Sequence, residues 1–167
     1  IVYLAGGPGG SGSGTAQGRR FPLFMAMRQH ADVIAFDQRG TGQSQRPPRC
    51  ASSQQIDSAA RVSDADIVAA YQAALAECVG FWQAEGVDLL GYTTRESVAD
   101  LSDLRAHLGA DAMSLWGISY GSHLALAALD AIPDEIERVI IASAEGLDQT
   151  VKYPARTDAY IARLQAA

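Results

Sequence analysis

Short apolar runs alternate with longer stretches of helical spacing along this chain of 167 residues. The runs lack polar alternation, which is typical of parallel strands buried on both faces; they cover residues 1–4, 33–36, 113–116 and 138–142. Apolar residues three or four positions apart predict helices over residues 21–29, 64–79, 93–108, 120–130 and 158–167. This order predicts an α/β fold, a mostly parallel sheet with helices on both faces.

Residues 45–92 form a stretch that is longer than a standard strand–helix connection. We interpret it as an insertion that carries the predicted helix over residues 64–79. Both cysteines of the chain, Cys50 and Cys78, lie in it. They are either two buried thiols or a disulfide, and composition alone leaves both open.

Composition and charge exclude several classes of protein. The chain is 48% hydrophobic and 19% charged, which is ordinary for a globular protein. Its formal net charge of −6 argues against a nucleic-acid partner, because few cations are available to neutralise phosphates. Every apolar run is shorter than the roughly 20 residues of a membrane helix, so we expect no membrane partner either.

Residues 117–121, Gly-Ile-Ser-Tyr-Gly, stand between an apolar strand and a predicted helix. Gly-x-Ser-x-Gly in this context is the pattern of a nucleophile elbow. Glycine is needed on both sides because a Cβ there would collide with the strand or the helix. The pattern predicts Ser119 as a nucleophile, held in a strained conformation with its hydroxyl above the sheet.

A glycine-rich stretch, Ala-Gly-Gly-Pro-Gly-Gly-Ser-Gly at residues 5–12, follows the first strand directly. Its glycines match the dinucleotide fingerprint Gly-x-Gly-x-x-Gly, and Asp37 ends the next strand, where a ribose-binding acid would lie. Two features oppose a nucleotide site. Pro8 removes an N–H group, and residues 11–18 are too rich in glycine to begin a stable helix.

The other interpretation of this stretch is an oxyanion loop. One oxyanion donor is the N–H group that follows the nucleophile, here that of Tyr120, and the second comes from the loop after an earlier strand. Gly6 and Gly7 stand at that place and let a carbonyl oxygen approach the backbone. We favour this interpretation over a nucleotide site and over a simple tight turn.

Three motifs occur in order: residues 6–12, residues 37–44 with the sequence Asp-Gln-Arg-Gly-Thr-Gly-Gln-Ser, and residues 117–121. Together they resemble the proline iminopeptidase and tripeptidyl aminopeptidase group of serine exopeptidases, over residues 1 to about 141. Proline iminopeptidases commonly have a histidine before the Gly-Gly-Pro, where this chain has Ala5. The difference favours the tripeptidyl type or an uncharacterised branch.

This resemblance implies an α/β-hydrolase fold with Ser119 as nucleophile and the N–H groups of Gly7 and Tyr120 as the oxyanion hole. Secreted members commonly carry a cysteine pair in the insertion, which implies a disulfide between Cys50 and Cys78. A periplasmic or secreted protein is then expected, with a cytoplasmic one as the alternative. We interpret residues 37–44 as structural, with the Asp37 carboxylate accepting loop N–H groups or pairing with Arg39.

Ser119 needs a base, and His123 is the only histidine after it. His123 lies four residues further on, on the helix behind the serine, and cannot reach the hydroxyl from the open edge of the sheet; we expect it to be structural. His30 and His107 are expected at the surface or at helix ends. The catalytic histidine and aspartate are therefore expected beyond residue 167, in a longer protein of which this chain is the middle part.

Glu145 follows the last strand, at the carboxyl edge of the sheet where ligands bind. It is a solvated loop acid, an anchor for the α-amino group of a substrate, which the resembled exopeptidases bind with glutamates, or the triad acid. The residues leave these alternatives open. We divide the chain into a hydrolase core over residues 1–148, with the insertion at about 45–92, and the start of a helical lid over residues 149–167.

The expected reaction is two-step acyl transfer through Ser119, without a metal or cofactor. By resemblance, the substrates are peptides with a free N-terminus, from which single residues or short peptides are released. An esterase, or another small-molecule hydrolase, shares the same motifs and is the first alternative. A non-catalytic binding protein on this scaffold is the second, and a dinucleotide-dependent oxidoreductase is the last.

Overall fold

A computed structural model describes residues 1–56, 62–148 and 154–166, and it contains one parallel sheet of four strands. The strands are β1 (Val2–Leu4), β2 (Ile34–Phe36), β3 (Met113–Ile118) and β4 (Ile136–Ala142). Their order in the sheet is β2-β1-β3-β4, with Val2 beside both Ile34 and Leu115. The predicted strands and the α/β class are thus confirmed, and all four carboxyl ends lie at one edge.

The described helices include all five that the spacing predicts, and one more. They are α1 (Gly12–Gln17), α2 (Phe21–Met27), α3 (Asp64–Ala84), α4 (Thr94–Leu108), α5 (Tyr120–Ala131) and α6 (Pro154–Gln165), with short 3₁₀ turns at Leu89–Tyr92 and Pro133–Glu135. Gly109, at φ 63°, follows the last residue of α4, where glycine commonly terminates a helix.

Helix α1 corrects the expectation that residues 11–18 are too rich in glycine for a helix. Ser11 caps it, its hydroxyl accepting a hydrogen bond from Gly14 N at 2.8 Å. The Asp37 carboxylate also accepts a hydrogen bond from Ser13 N, at 3.1 Å, in the first turn. A cap and a negative charge at the N-terminus stabilise a helix by about 1 kcal/mol each, which offsets the low propensity of glycine.

The sheet has a hydrophobic cluster on each face. On one face Val2, Leu4 and Leu115 pack against α4 and α5. On the other, Tyr3, Phe24 and Trp116 form an aromatic group with ring centroids 4.7–5.1 Å apart. Strand β4 corrects the expectation of burial on both faces, since Ile140 and Ile141 are 48% and 39% exposed. It is the last strand of the described sheet, so its outer side lacks a described neighbour.

The chain divides into two compact units, one of residues Ile1–Ser44 with Thr94–Ala167 and one of residues Gln45–Thr93. Within the second unit, Ser63 and Asp66 form a capping box at the start of α3. Cys50 and Cys78 form a disulfide with 5.6 Å between their Cα atoms. The predicted lid begins at residues 149–153, which lie outside the described residues, and a lid over 149–167 stays a prediction.

Candidate active site

The turn between β3 and α5 consists of Ser119 alone. Its backbone has φ 56° and ψ −126°, a conformation rare for a residue with a side chain. A Cβ on Gly117 would overlap the carbonyl of Gly121, and one on Gly121 would overlap the carbonyl of Leu4. The two glycines therefore let the helix start directly on the sheet, and the half-buried serine stands at the carboxyl ends of the strands.

The glycine loop, which we define as residues 6–10, lies against this serine. A Cβ on Gly6 would be 2.9 Å from Ser119 Cβ and 3.4 Å from Ser119 Oγ. The loop is closed by a hydrogen bond from Gly10 N to Gly6 O at 3.0 Å, and Gly7 has φ 129°, where a side chain would be strained. A side chain at Gly6 would collide with Ser119 Cβ and with the carbonyl oxygen of Ile118 at 3.0 Å, so glycine lets the loop lie against the serine turn.

Glu145 is the acidic residue that the fold brings to the serine. Ser119 Oγ donates a hydrogen bond to Glu145 Oε1 at 3.1 Å. Ser143, at φ 52°, turns the chain after β4 and is the only described residue besides Ser119 to combine a side chain with a positive φ. Strained backbone on two neighbouring strand ends is typical of a functional site.

Ser122 is a site residue that the sequence analysis missed. Its side chain is fully buried, and its hydroxyl donates to the carbonyl oxygen of Ser119 at 2.5 Å. The same hydroxyl accepts a hydrogen bond from Glu145 N at 2.8 Å. Ser122 therefore joins the turn of Ser119 to the segment that carries Glu145. A serine in the first turn of a largely apolar helix was the available signal.

Tyr120 and His123 lie on α5, directly after the serine. Tyr120 is the first residue of the helix, so its N–H group has no partner within the helix. Its hydroxyl is 2.9 Å from Thr94 Oγ1. The ring of His123 stacks on that of Tyr120, and its Nδ1 is 3.2 Å from the carbonyl oxygen of Gly146. His123 thus holds the segment after β4, consistent with the expected structural role, which stays a prediction.

The carboxylate of Asp37 is hydrogen-bonded to nearby serine and backbone groups. Its carboxylate accepts from Ser11 Oγ, Ser13 N, Ser13 Oγ and Gln43 N at 2.5–3.1 Å. Burial alone would raise the pKa of Asp37, but the hydrogen bonds from Ser13, Gln43 and Ser11 lower this pKa to about 2. The positive end of α1 is therefore filled by Asp37, which leaves no place there for a phosphate or ribose. Arg39, the other expected partner of Asp37, forms ion pairs with Asp100, with 2.7 Å between Nε and Oδ2, and with Glu96 at 3.6 Å.

A cavity of about 380 Å³ adjoins the serine. Gly6, Gly10, Ser119, Arg19 and Arg20 are among the residues that line it. Among the described residues, no cluster of three or more histidine, cysteine or acidic side chains could hold a metal ion. Within the same residues, no helix combines the length and the apolar character needed to cross a membrane.

The parallel sheet and the strand–serine–helix turn define the class of an α/β-hydrolase. A family model described as alpha/beta hydrolase fold matches residues 1–166, so the chain belongs to this family. The resemblance to the tripeptidyl aminopeptidase group is also confirmed, because the chain is 30% identical over 156 residues to a tripeptidyl aminopeptidase of Streptomyces coelicolor, covering 86% of this chain and 28% of that protein.

Two further relatives carry different names. The chain is 29% identical over 147 residues, 84% of its length, to the serine protease Hip1 of Mycobacterium tuberculosis. It is 26% identical over 148 residues, 89% of its length, to the putative hydrolase YuaR of Escherichia coli. This chain spans about 28% of the length of each of these relatives. The shared class among them is a hydrolase.

Proposed function

We propose that the protein is a serine hydrolase that cleaves peptides through an acyl-enzyme on Ser119. The observation that carries the proposal is the meeting of three groups at one strand edge. Ser119, at φ 56°, has Gly6 packed against its Cβ and the Glu145 carboxylate hydrogen-bonded to its hydroxyl. Acyl transfer requires a nucleophile with backbone N–H groups close by to bind the oxyanion, and this arrangement offers both.

In the first step, Ser119 Oγ attacks the carbonyl carbon of the scissile bond and gives its proton to a base. We propose a histidine outside residues 1–167 as that base, because His123 faces Gly146. The N–H groups of Gly7 and Tyr120 hold the oxyanion. Loss of one such donor typically costs about 10²–10³-fold in rate. Collapse of the intermediate expels the leaving amine, which takes the proton from the base, and water then releases the acyl group by the same steps.

For the substrate, we propose peptides with a free α-amino group, so that the enzyme is an aminopeptidase. Glu145 places a carboxylate beside the nucleophile, where it can receive an ammonium group close to the scissile bond. A triad acid orients its histidine instead of bonding the nucleophile, so we favour the amine anchor. The name tripeptidyl aminopeptidase of a relative supports peptides with a free N-terminus as the broader class. An ammonium held at Glu145 implies release of a single residue, because three extended residues span about 10 Å.

The Cys50–Cys78 disulfide supports a location in an oxidising compartment, which we propose to be the periplasm or the exterior of the cell. Peptides, not nucleic acids, are the proposed partners of a chain with a net charge of −6. We further propose that residues 149–167 begin a lid over the site.

The test is turnover by the full-length protein with peptide arylamides, either amino-free or N-acylated, and with a short aryl ester. Ser119→Ala should abolish turnover while leaving the melting temperature within a few degrees of the parent. Cleavage of amino-free peptides alone supports the aminopeptidase. Cleavage of the ester alone would establish an esterase, and undiminished turnover by Ser119→Ala would remove Ser119 from the mechanism.

A further inference from the structure

The segment after β2 contacts both ends of the glycine loop. At the near end, Gln38 is 5% exposed and its Nε2 atom lies 3.4 Å from the carbonyl oxygen of Ala5, the residue before the loop. At the far end, the Asp37 carboxylate binds Ser11, the residue directly after the loop, at 3.0 Å. Two neighbouring side chains thus hold the two points between which the loop runs.

Asp37 also fixes the start of α1, which follows the loop. Both of its oxygens bind Ser13, one through the backbone N–H at 3.1 Å and the other through the hydroxyl at 2.5 Å. A Cβ on Gly12 would overlap the carbonyl of Phe36, so the helix begins in direct contact with the end of β2. The exit from the loop is therefore tied to the sheet by side chains and by backbone packing.

The segment that carries these side chains is itself held in place. Ser44 Oγ donates to the carbonyl oxygen of Asp37 at 2.6 Å. Gly42, at φ 50°, leaves room for the Asp37 carboxylate, which a Cβ there would overlap. Arg39 donates two hydrogen bonds to Asp100 on α4, at 2.7 and 2.5 Å. Residues 37–44 therefore connect helix α4 to the glycine loop.

The loop needs such support because four of its five residues are glycines. Glycine has the largest backbone freedom of any residue, so an unsupported loop would sample many conformations. Oxyanion donors, in contrast, are effective only when they are held in place before the charge develops.

We propose that Asp37, assisted by Gln38, is a positioning residue that holds the glycine loop so that its N–H donor faces the oxyanion at Ser119. This inference rests on the proposed function of Ser119 and Gly7. It assigns the Asp-Gln pair of the second motif a part in catalysis in addition to a structural one. Neither side chain touches the substrate, and both act through the backbone of the loop.

The test is Asp37→Asn in the full-length enzyme, assayed on whichever of the peptide arylamides or the aryl ester the parent cleaves. A shift of about 1 Å at a catalytic group can cost about 10²-fold in rate. We expect kcat to fall about 10- to 100-fold with KM within about 2-fold, because the oxyanion interaction exists only in the transition state. Affinity for a peptide aldehyde with the same sequence should fall in parallel with kcat.

Glu135→Gln is the matched control. Glu135 accepts hydrogen bonds from Ser102 and Arg105 at 2.6–2.9 Å, beside the amino end of β4 and away from the loop. The Glu135→Gln substitution should lower the stability of the protein without changing kcat. A kcat for Asp37→Asn that equals that of Glu135→Gln, or a raised KM with kcat unchanged, would overturn the proposal.

Ser13 provides a second pair of variants if Asp37→Asn does not fold. Ser13→Ala removes the hydroxyl donor to Asp37 and should lower kcat at constant KM, whereas Ser13→Thr keeps a hydroxyl and should restore it. Equal kcat for Ser13→Ala and the parent overturns the positioning role. If Ser119→Ala is inactive while Asp37→Asn retains kcat, only this inference fails; activity of Ser119→Ala would remove the proposed function as well.

Discussion

The Glu145 carboxylate accepts a hydrogen bond from the hydroxyl of Ser119, with 3.1 Å between Oε1 and Oγ. The two residues are 26 positions apart, and each follows one of two adjacent parallel strands, β3 and β4. Ser122 keeps them together, since its hydroxyl binds the carbonyl of Ser119 and the N–H of Glu145. A substrate ammonium that engages Glu145 would therefore lie next to the hydroxyl of Ser119.

Replacement of Glu145 tests the amine anchor. Glu145→Gln keeps the shape of the side chain and removes its charge. A hydrogen bond to a charged group contributes about 1.5–3 kcal/mol, so we expect kcat/KM for amino-free peptides to fall about 10- to 100-fold. Rates with N-acylated peptides or esters should be unchanged. Glu137→Gln, on the exposed part of β4 beside Arg138, is the control. Equal losses on all substrates would contradict the anchor.

Gly6→Ala tests the close approach of the loop to the serine. The added Cβ would be 2.9 Å from Ser119 Cβ and 3.0 Å from the carbonyl oxygen of Ile118, so the loop must move. We expect kcat to fall by at least about 10²-fold, as for a lost oxyanion donor. Gly80→Ala is the matched control, because a Cβ at this position on α3 would have open space around it. Comparable kcat values for the two variants would show that Gly6 is not constrained by the site.

Loss of the Cys50–Cys78 disulfide should destabilise the unit of residues Gln45–Thr93. The bond closes a loop with a sequence separation of 28, which corresponds to about 3–4 kcal/mol by loop entropy. We expect the double variant Cys50→Ser, Cys78→Ser to be cleaved faster by protease in this segment. Reduction of the parent with dithiothreitol should reproduce the effect and leave the variant unchanged. Equal cleavage rates of parent and variant would contradict the expectation.

Acid should weaken the fold through Asp37. The pKa of this carboxyl is about 2 in the fold, below its ordinary value of 3.8. The carboxylate thus stabilises the fold fully at pH values above its ordinary pKa of 3.8, and this contribution is lost as the pH falls towards 2. The difference corresponds to about 2 kcal/mol. Urea unfolding between pH about 2 and about 6 measures it.

The Asp37→Asn variant isolates this contribution. The pKa of Glu77 is also lowered to about 2, by hydrogen bonds from Gln54, Ser53 and Ser52, so the parent loses stability from more than one group. Glu77 is present in both proteins, and the difference between their unfolding free energies reports Asp37 alone. That difference should shrink as the pH falls below about 4. A difference independent of pH would show that the Asp37 charge does not stabilise the fold.

Local patterns were sufficient to predict much of the fold. Apolar runs without alternation predicted four strands, because a strand covered on both faces of a sheet needs no alternating polar positions. Helical spacing predicted five helices, because burial of one helix stripe places apolar residues three or four positions apart. The motif at residues 117–121 likewise predicted the strand–serine–helix turn, since both glycines are required by backbone contacts that any such turn makes. The motif order pointed to the family that the comparisons confirmed.

The contacts within the site could be seen only in the assembled tertiary structure. Helix α1 was missed because its stability depends on Asp37, 24 residues away from Ser13, and propensity does not include such a partner. The sequence likewise did not predict that Glu145 contacts Ser119 and Ser122, or that Ser122 joins the two segments. Parallel strands bring distant turns to one edge, and the sequence lists these turns far apart. Which side chain meets Ser119 is therefore decided by strand order and register, whereas the strand–serine–helix turn could be predicted from five consecutive residues.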